Sequence, residues 1–302
     1  MNLKRCIHST IGAFAATLFV FLSGEGMAVG APAQDITCWG DSLTQNGVGV
    51  ALASLYSGVR KVHNEGVGGE PSTGIAVRQG GTPIRLMFPE NSMSASGTMT
   101  IQATTENGDP KIRHTIKGSV QGIPGTLTRI IANGSFVWSR TNPGSAVPVP
   151  PDTVMDVETG DSQNHTVVLW YGRNNVGSNQ TVEYVKGDLE RSIERLKCNP
   201  KPFVILGVTR SDYPAEYTGG VISNRINTLN AWIKAKWPDN YIDPMACLIA
   251  AHDPNNPQDI IDIKNGVIPF SLRKQGDKTH LNPNGDMVLA REIKKMIDAK
   301  GW

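Results

Sequence analysis

The organisation of this chain turns on the stretch Ile36-Thr37-Cys38-Trp39-Gly40-Asp41-Ser42-Leu43-Thr44. Its first four residues, β-branched, small and aromatic, read as a buried strand. Val48, Leu52 and Leu55/Tyr56 follow at helical spacing. Ser42 therefore falls in the turn between the C-terminal end of a strand and the start of a helix. Open α/β sheets bind their ligands at that edge. A serine there is exposed, lies beside free backbone N–H groups and can act as a nucleophile. The same residue types also suit an ordinary strand-to-helix turn with Ser42 as its N-cap. The stretch alone leaves both readings open.

The flanking sequence repeats the pattern. Arg60 to His63 reads as a second short strand running into Asn64-Glu65-Gly66-Val67-Gly68-Gly69, followed by a helical turn capped by Ser72 or Thr73 and reaching Arg78. The glycines do not form a dinucleotide fingerprint, because Pro71 stands where G-x-G-x-x-G needs its third glycine. Gly47-Val48-Gly49 fails for the same reason, and no P-loop is present. Thr166 to Trp170 is a fully apolar strand leading into Tyr171-Gly172-Arg173-Asn174-Asn175. Val182 to Leu196 is a helix carrying Val185, Leu189 and Ile193 on one face. Phe203 to Val208 is a further buried strand, ending in Thr209-Arg210-Ser211-Asp212. Val221 to Trp237 is a helix, Tyr241-Ile242 a last short strand, and Asn282 to Lys300 a closing helix. Alternating βα units of this kind predict an α/β fold, a mostly parallel sheet with helices on both faces.

Between about Pro83 and Asp161 the character changes. The runs 84–88, 98–103, 112–116, 126–131, 135–140 and 153–157 are short, alternating or β-branched, and separated by Gly, Pro and Asn. Helical periodicity is absent, which predicts a small all-β sandwich or barrel inserted into the α/β domain. The expected division is residues 1–33 as a leader, 34–82 with 162–302 as the α/β domain, and 83–161 as the insert.

The leader reading rests on a basic start (Lys4, Arg5), an apolar run from Ile11 to Leu22 and the small-residue site Ala31-Pro32-Ala33. The apolar run is too short to span a bilayer. The expectation is an exported protein, periplasmic or secreted, with no stable membrane insertion once the leader is cleaved near Ala33. The whole chain carries 29 Lys and Arg against 27 Asp and Glu, a formal net charge of +2. Losing Lys4, Arg5 and Glu25 brings that to +1, and no basic run or aromatic–basic interleaving stands out. Nucleic acid is not expected as a partner. Of four cysteines, Cys6 leaves with the leader. Cys38 reads as a small buried hydrophobe, and Cys198–Cys247 is the disulfide pair to test. His63, His114, His165 and His252 lack the spacing of a metal site and read as surface or packing residues. No metal and no organic cofactor is expected.

Ahead of the last helix stands Gly276-Asp277-Lys278-Thr279-His280-Leu281. A carboxylate three residues before a histidine lets one loop supply both, the Asp holding Nδ1–H and leaving Nε2 free as a base. An Asp–His pair that merely caps the helix is the plainer alternative. Beside Ser42 at the same sheet edge, however, the pair looks like the rest of a triad, since the chain order Ser…Asp…His is one of several in which this geometry recurs. No G-x-S-x-G elbow occurs, which argues against the ordinary α/β-hydrolase fold. Oxyanion donors could come from two further strand-end loops: the backbone N–H of Gly69, unobstructed by a side chain, and the side-chain amide of Asn174. Either residue is also a commonplace turn former.

Four blocks in order, Gly40-Asp41-Ser42-Leu43, Asn64-x-Gly66-x-x-Gly69, Gly172-x-Asn174 and Asp277-x-x-His280, resemble the SGNH, or GDSL, hydrolases. The resemblance covers the chain from residue 34 onward apart from the insert. It implies a three-layer α/β/α sandwich with a five-stranded parallel sheet in the flavodoxin-like order 2-1-3-4-5. It also implies Ser42 as nucleophile, His280 as base, Asp277 as its orienter, and Ser42 N–H, Gly69 and Asn174 as the oxyanion hole. Two departures stand out. Asn175 replaces the acidic residue usual after the donor asparagine, and Gly69 and Asn174 lie far apart in sequence because the insert separates them. Arg78-Gln79-Gly80-Gly81 with Gly172-Arg173-Asn174-Asn175 is similar to deacetylase-type domains of phage tail proteins and exported bacterial proteins.

The resemblance, with an insert leaving the catalytic edge, implies a serine esterase acting on O-acyl groups of a carbohydrate, O-acetyl above all. Arg78, Arg173 and Arg210 are candidate contacts to a polar substrate. The rival readings are a lipase, lysophospholipase or thioesterase using the same residues on longer acyl chains, and a non-catalytic carbohydrate-binding protein on a hydrolase scaffold. The modest content of Trp, Tyr and Phe does not favour a large apolar pocket.

Overall fold

The computed structural model of the chain describes residues 35–302, so the leader expected over 1–33 lies outside the described residues. β1 (Ile36–Gly40) is buried along its whole length. It is followed by a π-helical turn (Thr44–Val48), α1 (Gly49–Leu55), β2 (Val62–Gly66) and α2 (Ser72–Gln79). The insert then contributes β3 (Arg85–Met87), β4 (Ser92–Met93), β5 (Thr98–Thr104), β6 (Ile116–Val120), β7 (Ile123–Arg129), β8 (Phe136–Arg140), β9 (Val147–Pro148), β10 (Thr153–Val154) and β11 (Asp156–Val157). The α/β pattern resumes with β12 (Thr166–Trp170), α3 (Asn179–Glu194), β13 (Phe203–Leu206), α4 (Val221–Lys236), β14 (Tyr241–Ile242), α5 (Pro244–Ala250), α6 (Pro257–Asn265) and α7 (Pro283–Ala299).

The central sheet has five parallel strands in the order β14-β13-β12-β1-β2. Counted along the chain within this sheet, that is the order 2-1-3-4-5. Successive side chains of each strand enter opposite clusters, as the two-residue period of a strand requires. Ile36 and Cys38 of β1, Val168 and Trp170 of β12, and Val204 and Leu206 of β13 face a layer formed by α1, α5 and α7. Trp39, Val167, Leu169, Phe203 and Ile205 face a layer formed by α2, α3 and α4. Burial on both faces explains why these strands read as continuous apolar runs.

The insert is a seven-stranded sheet in the order β10-β3-β5-β8-β7-β6-β11, with antiparallel pairings, and a two-stranded ribbon β4-β9. The two ends of the insert's sheet meet, as a barrel requires: β10 and β11 are separated only by Met155, β10 pairing with β3 and β11 with β6. Its own core gathers Leu86, Phe88, Ile101, Leu127, Phe136 and Trp138, but Val77 of α2 belongs to the same cluster. The insert is thus packed into the α/β unit, and the described residues form one compact body. The expected strand over 112–116 lies instead at 116–120. Ile112 is buried from a loop, after Lys111 takes a positive φ of 51°. Its apolar character marked burial and not a strand.

The helices α5 and α6 were not expected. Each is shorter than α3, α4 and α7, yet each has Pro in its first turn and a capping side chain, Asp243 to Ala246 N–H and Asn256 to Gln258 N–H. No disulfide joins Cys198 and Cys247; Cys38, Cys198 and Cys247 all stand as thiols. The pair lies on opposite faces of the sheet. Cys247 packs with the α1/α5/α7 layer, whereas Cys198 follows α3 and donates to Asn164 O. Among the described residues no helix is long and apolar enough to cross a membrane.

Candidate active site

Because all five strands of the central sheet are parallel, the loops after β1, β2 and β12 meet at one edge. Ser42 sits in the first turn after β1. Asp41 shapes this turn. Its backbone carbonyl accepts the N–H groups of Thr44 and Gln45, and its Oδ1 accepts Leu43 N–H at 3.0 Å. Gly40 is required just before, since a Cβ there would meet Thr44 Oγ1 at 2.0 Å and Trp170 O at 3.0 Å. Ser42 N–H is left at the start of the helical turn, where backbone donors have no intrahelical partner.

His280 reaches this serine from the loop before α7. Its Nε2 lies 2.8 Å from Ser42 Oγ, and its Nδ1 lies 2.7 Å from Asp277 Oδ2. Asp277 Oδ1 accepts the backbone N–H groups of Thr279 (2.7 Å) and His280 (3.0 Å). Burial alone would raise this carboxyl, but the two backbone donors and the imidazole outweigh it and hold it at about 2. The loop is fixed in turn by Asn282. Its side-chain amide donates to Ser271 O and Arg273 O, while its oxygen caps α7 at Asn284 and Gly285 N–H.

Gly69 lies in the loop after β2 with φ +71°, a conformation that favours glycine. Gly68 N–H is taken by Gln45 Oε1 and Glu70 N–H by Val67 O, whereas Gly69 N–H and Ser42 N–H have no hydrogen-bond acceptor among the described residues. Asn174 stands between them, after β12. Its Nδ2 donates to Asp41 Oδ2 at 3.0 Å and to Glu70 O at 3.1 Å. Both amide hydrogens are therefore directed at protein acceptors, and one of them must turn from Glu70 O to serve an oxyanion. Asn175 is buried one residue on. Its Oδ1 accepts Ser72 N–H at the start of α2 and its Nδ2 donates to Thr181 O, a double role that a carboxylate could not fill.

Three groups escaped the reading of the sequence. Asp41 is buried and holds the Asn174 amide; burial pushes its carboxyl up to about 6, with the Leu43 N–H and the charges of Arg173 and His280 pulling the other way. Its place in the motif was visible, but a turn former there gives no sign of its partner. Glu70 is fully buried, with Oε2 on Arg78 and Oε1 accepting Arg113 N–H at 2.9 Å. Asp286, in the first turn of α7, lines a cleft of about 430 Å³ with Ser42 and His280. Burial raises its carboxyl to about 7, against the opposing charge of His280.

The three arginines expected at the substrate are instead spent within the fold. Arg78 is buried, paired with Glu70 and stacked 5.3 Å from the ring centroid of Trp39. Arg173 makes a two-point contact with Glu216 (2.7 and 2.5 Å) and donates to Thr209 O. Arg210 is half-buried and donates to Ser223 Oγ at 3.3 Å. Nothing in the local sequence reveals that Arg78 and Arg173 will each be paired with a glutamate. His63 and His165 also differ from expectation. They stack with ring centroids 5.0 Å apart beside Asp35, and the three could offer a metal ligand atoms lying within 4.8 Å of one another. Asp35 pairs with His63 at 3.0 Å and His165 Nδ1 meets Thr37 Oγ1 at 2.8 Å. This cluster flanks the N-terminal ends of β1 and β12, away from Ser42. His252 bonds Ile249 O, and His114 is exposed.

No family model matches the sequence. The chain is 28% identical over 274 residues to the tail spike protein of Salmonella phage epsilon15; the match takes in 80% of this chain and 25% of that protein, so the chain spans about a quarter of its relative's length. Among solved structures it is similar to an acetyl xylan esterase, AlAXEase, with a TM-score of 0.47 and 13% identity, covering 87% of this chain and 99% of that one. It is also similar to a variant of Axe2, an acetyl-xylooligosaccharide esterase from Geobacillus stearothermophilus, with a TM-score of 0.48 and 11% identity, covering 89% and 95%. Likenesses this distant fix neither a substrate nor the role of any residue, both of which depend on the geometry of the site.

Proposed function

We propose that the chain is a serine ester hydrolase of the SGNH type, acting on O-acyl and above all O-acetyl groups of a carbohydrate outside the cytoplasm. The observation that carries the hydrolase reading is the continuous relay from Asp277 to His280 Nδ1 and from His280 Nε2 to Ser42 Oγ, at 2.7 and 2.8 Å. A capping pair would have no reason to deliver its free imidazole nitrogen to a serine contributed by a different element. The carbohydrate reading has weaker support: the Asn, Thr, Lys and Arg residues that share a cleft with Gly69 and Asn174, and the resemblance of the sequence blocks to deacetylase-type domains. Export rests on the leader sequence.

In this mechanism Asp277 keeps Nδ1 protonated, so His280 Nε2 is the acceptor for the Ser42 proton. Ser42 Oγ attacks the ester carbonyl as that proton moves to Nε2. The carbonyl π-electrons move onto oxygen, and the oxyanion is met by Ser42 N–H, Gly69 N–H and one hydrogen of the Asn174 amide. Collapse breaks the bond to the alcohol, which takes the proton from His280 and leaves. Water, deprotonated by His280, then cleaves the acyl-Ser42 ester, releasing the carboxylic acid and restoring the serine.

The test is acetate release by residues 34–302 from p-nitrophenyl acetate, its octanoate counterpart and an O-acetylated polysaccharide. Ser42→Ala is expected to lower kcat by about 10⁴-fold or more. Asn174→Ala is expected to lower it by about 10²–10³-fold with little change in KM. Turnover that survives Ser42→Ala would sink the hydrolase reading, and a clear preference for octanoate would replace the acetyl ester with a longer acyl chain.

A further inference from the structure

We propose that the β insert supplies an anion subsite, in which Arg113 and Lys111 bind the carboxylate of an acidic sugar next to the acylated one. This deepens the ester hydrolase reading and rests on it for the identity of the reacting group. The sequence suggested only that the insert shapes the cleft. Its residues show how.

A cleft of about 510 Å³ opens from the candidate oxyanion hole toward the insert, with Gly69 and Asn174 at one end and Asn107, Lys111, Arg113 and Arg129 of the insert along its wall. That volume falls in the range of small-ligand sites. The insert is fastened at this wall by buried polar contacts. Arg113 N–H donates to the fully buried Glu70 (2.9 Å), and Asn107 Nδ2 donates to Thr73 Oγ1 (3.0 Å) and toward Asp188 Oδ1 (3.3 Å). The segment 107–113 is thus positioned from beneath, while its cationic side chains face outward.

The charge balance along this wall is positive. Glu70 is committed to Arg78, and Asp109 is committed to Arg129 at 2.6 Å. Arg113 and Lys111 have no carboxylate partner among the described residues and are both exposed. The Arg113 guanidinium leans over Gly69, with Nη1 at 3.3 Å from its carbonyl oxygen and 2.9 Å from where a Cβ on Gly69 would stand. The guanidinium carries five donors, of which Nη1 contacts Gly69 O, and Arg113 lines the cleft. A planar guanidinium with free donors matches a carboxylate in two-point geometry. An ammonium beside it adds a second charge to hold that carboxylate. A neutral acetylated glycan would leave both cations without a partner.

Binding is measured by calorimetry on the Ser42→Ala protein, which leaves ester substrates intact, using O-acetylated oligogalacturonate and O-acetylated xylooligosaccharide. The acidic oligosaccharide is expected to bind about tenfold more tightly at low salt, with the advantage shrinking as ionic strength rises. The preference should vanish in Lys111→Ala/Arg113→Ala and reverse in Lys111→Glu/Arg113→Glu, while Lys111→Arg keeps it. Circular dichroism checks that each variant is folded. Equal affinity for the two glycans, or a preference that survives the double alanine variant, overturns the subsite. Turnover of p-nitrophenyl acetate by the unmodified protein judges the hydrolase reading separately, so either idea can fail while the other stands.

Discussion

At the scale of single residues, the site combines carboxylates driven in opposite directions. Asp277, half-exposed but holding two backbone N–H groups and an imidazole, sits at about 2. Asp286, buried near the same histidine and without a hydrogen-bonded partner for its carboxylate among the described residues, sits at about 7. The effect on stability comes from proton binding. Between the ordinary value of 3.8 and about 7, the folded chain retains a proton on Asp286 that the unfolded chain has released. The stabilisation from this group is complete below about 4 and is lost as pH rises through about 7. Asp286→Asn should therefore raise stability at pH 8 by about 1 kcal/mol, after allowance for the lost helix-terminus charge interaction, and change it little at pH 4. Urea midpoints at the two pH values check this. Asp277 has the opposite sign, its contribution present above about 4 and falling away as pH drops toward 2. Ser42, Gly69, Asn174, Asp277 and His280 were all legible as candidates because their spacing and their position at strand ends are local properties. Asp41, Glu70 and Asp286 were not, since what gives each its place is a partner or cavity supplied by another part of the chain.

Among elements, the last helix illustrates how local signals place a functional loop. Asn282, the Pro at the first helical position and the apolar spacing of Leu289, Ile293 and Ile297 mark α7 through local chemistry alone, and the helix occupies Pro283–Ala299. Its cap does more than start the helix, because the same amide holds Ser271 and Arg273, where the loop leading to Asp277 and His280 begins. Asn282→Ala should cost about 1–2 kcal/mol in thermal or chemical unfolding and reduce kcat on p-nitrophenyl acetate more than it raises KM. An unchanged kcat would show that the loop holds its geometry without the cap. The insert's strands were legible as strands from their alternation, but not their final pairing. Strand register is set by cross-strand neighbours, and the pairing of β3 with β5 and β10 joins residues distant in sequence.

For the whole molecule, the joint between the α/β layers and the insert converges on Asp188. This carboxylate is fully buried on α3 and accepts from Ser72 Oγ (2.7 Å), Thr73 Oγ1 (2.8 Å), Thr82 Oγ1 (2.9 Å) and Arg191 Nη2 (2.8 Å), with Asn107 of the insert at 3.3 Å. Removing it takes the acceptor from several buried hydroxyls at once, while Arg191 keeps Glu106 and Thr82. Asp188→Ala is expected to destabilise the protein by about 3–5 kcal/mol, read from the denaturant midpoint. Loss of less than about 1 kcal/mol would mean that the joint relaxes around the change.

The sequence by itself determined the α/β character, the insert's β character and the candidate relay of Ser42, His280 and Asp277. Those properties arise from short-range periodicity and from the chemistry of individual side chains at predictable turns. The tertiary structure alone decided that Arg78, Arg173 and Arg210 are engaged inside the fold, that Cys198 and Cys247 stay apart, and that Arg113 comes to rest over Gly69. Each of those outcomes depends on which distant segment lands beside a residue, and burial and charge pairing act through space with no trace in local spacing.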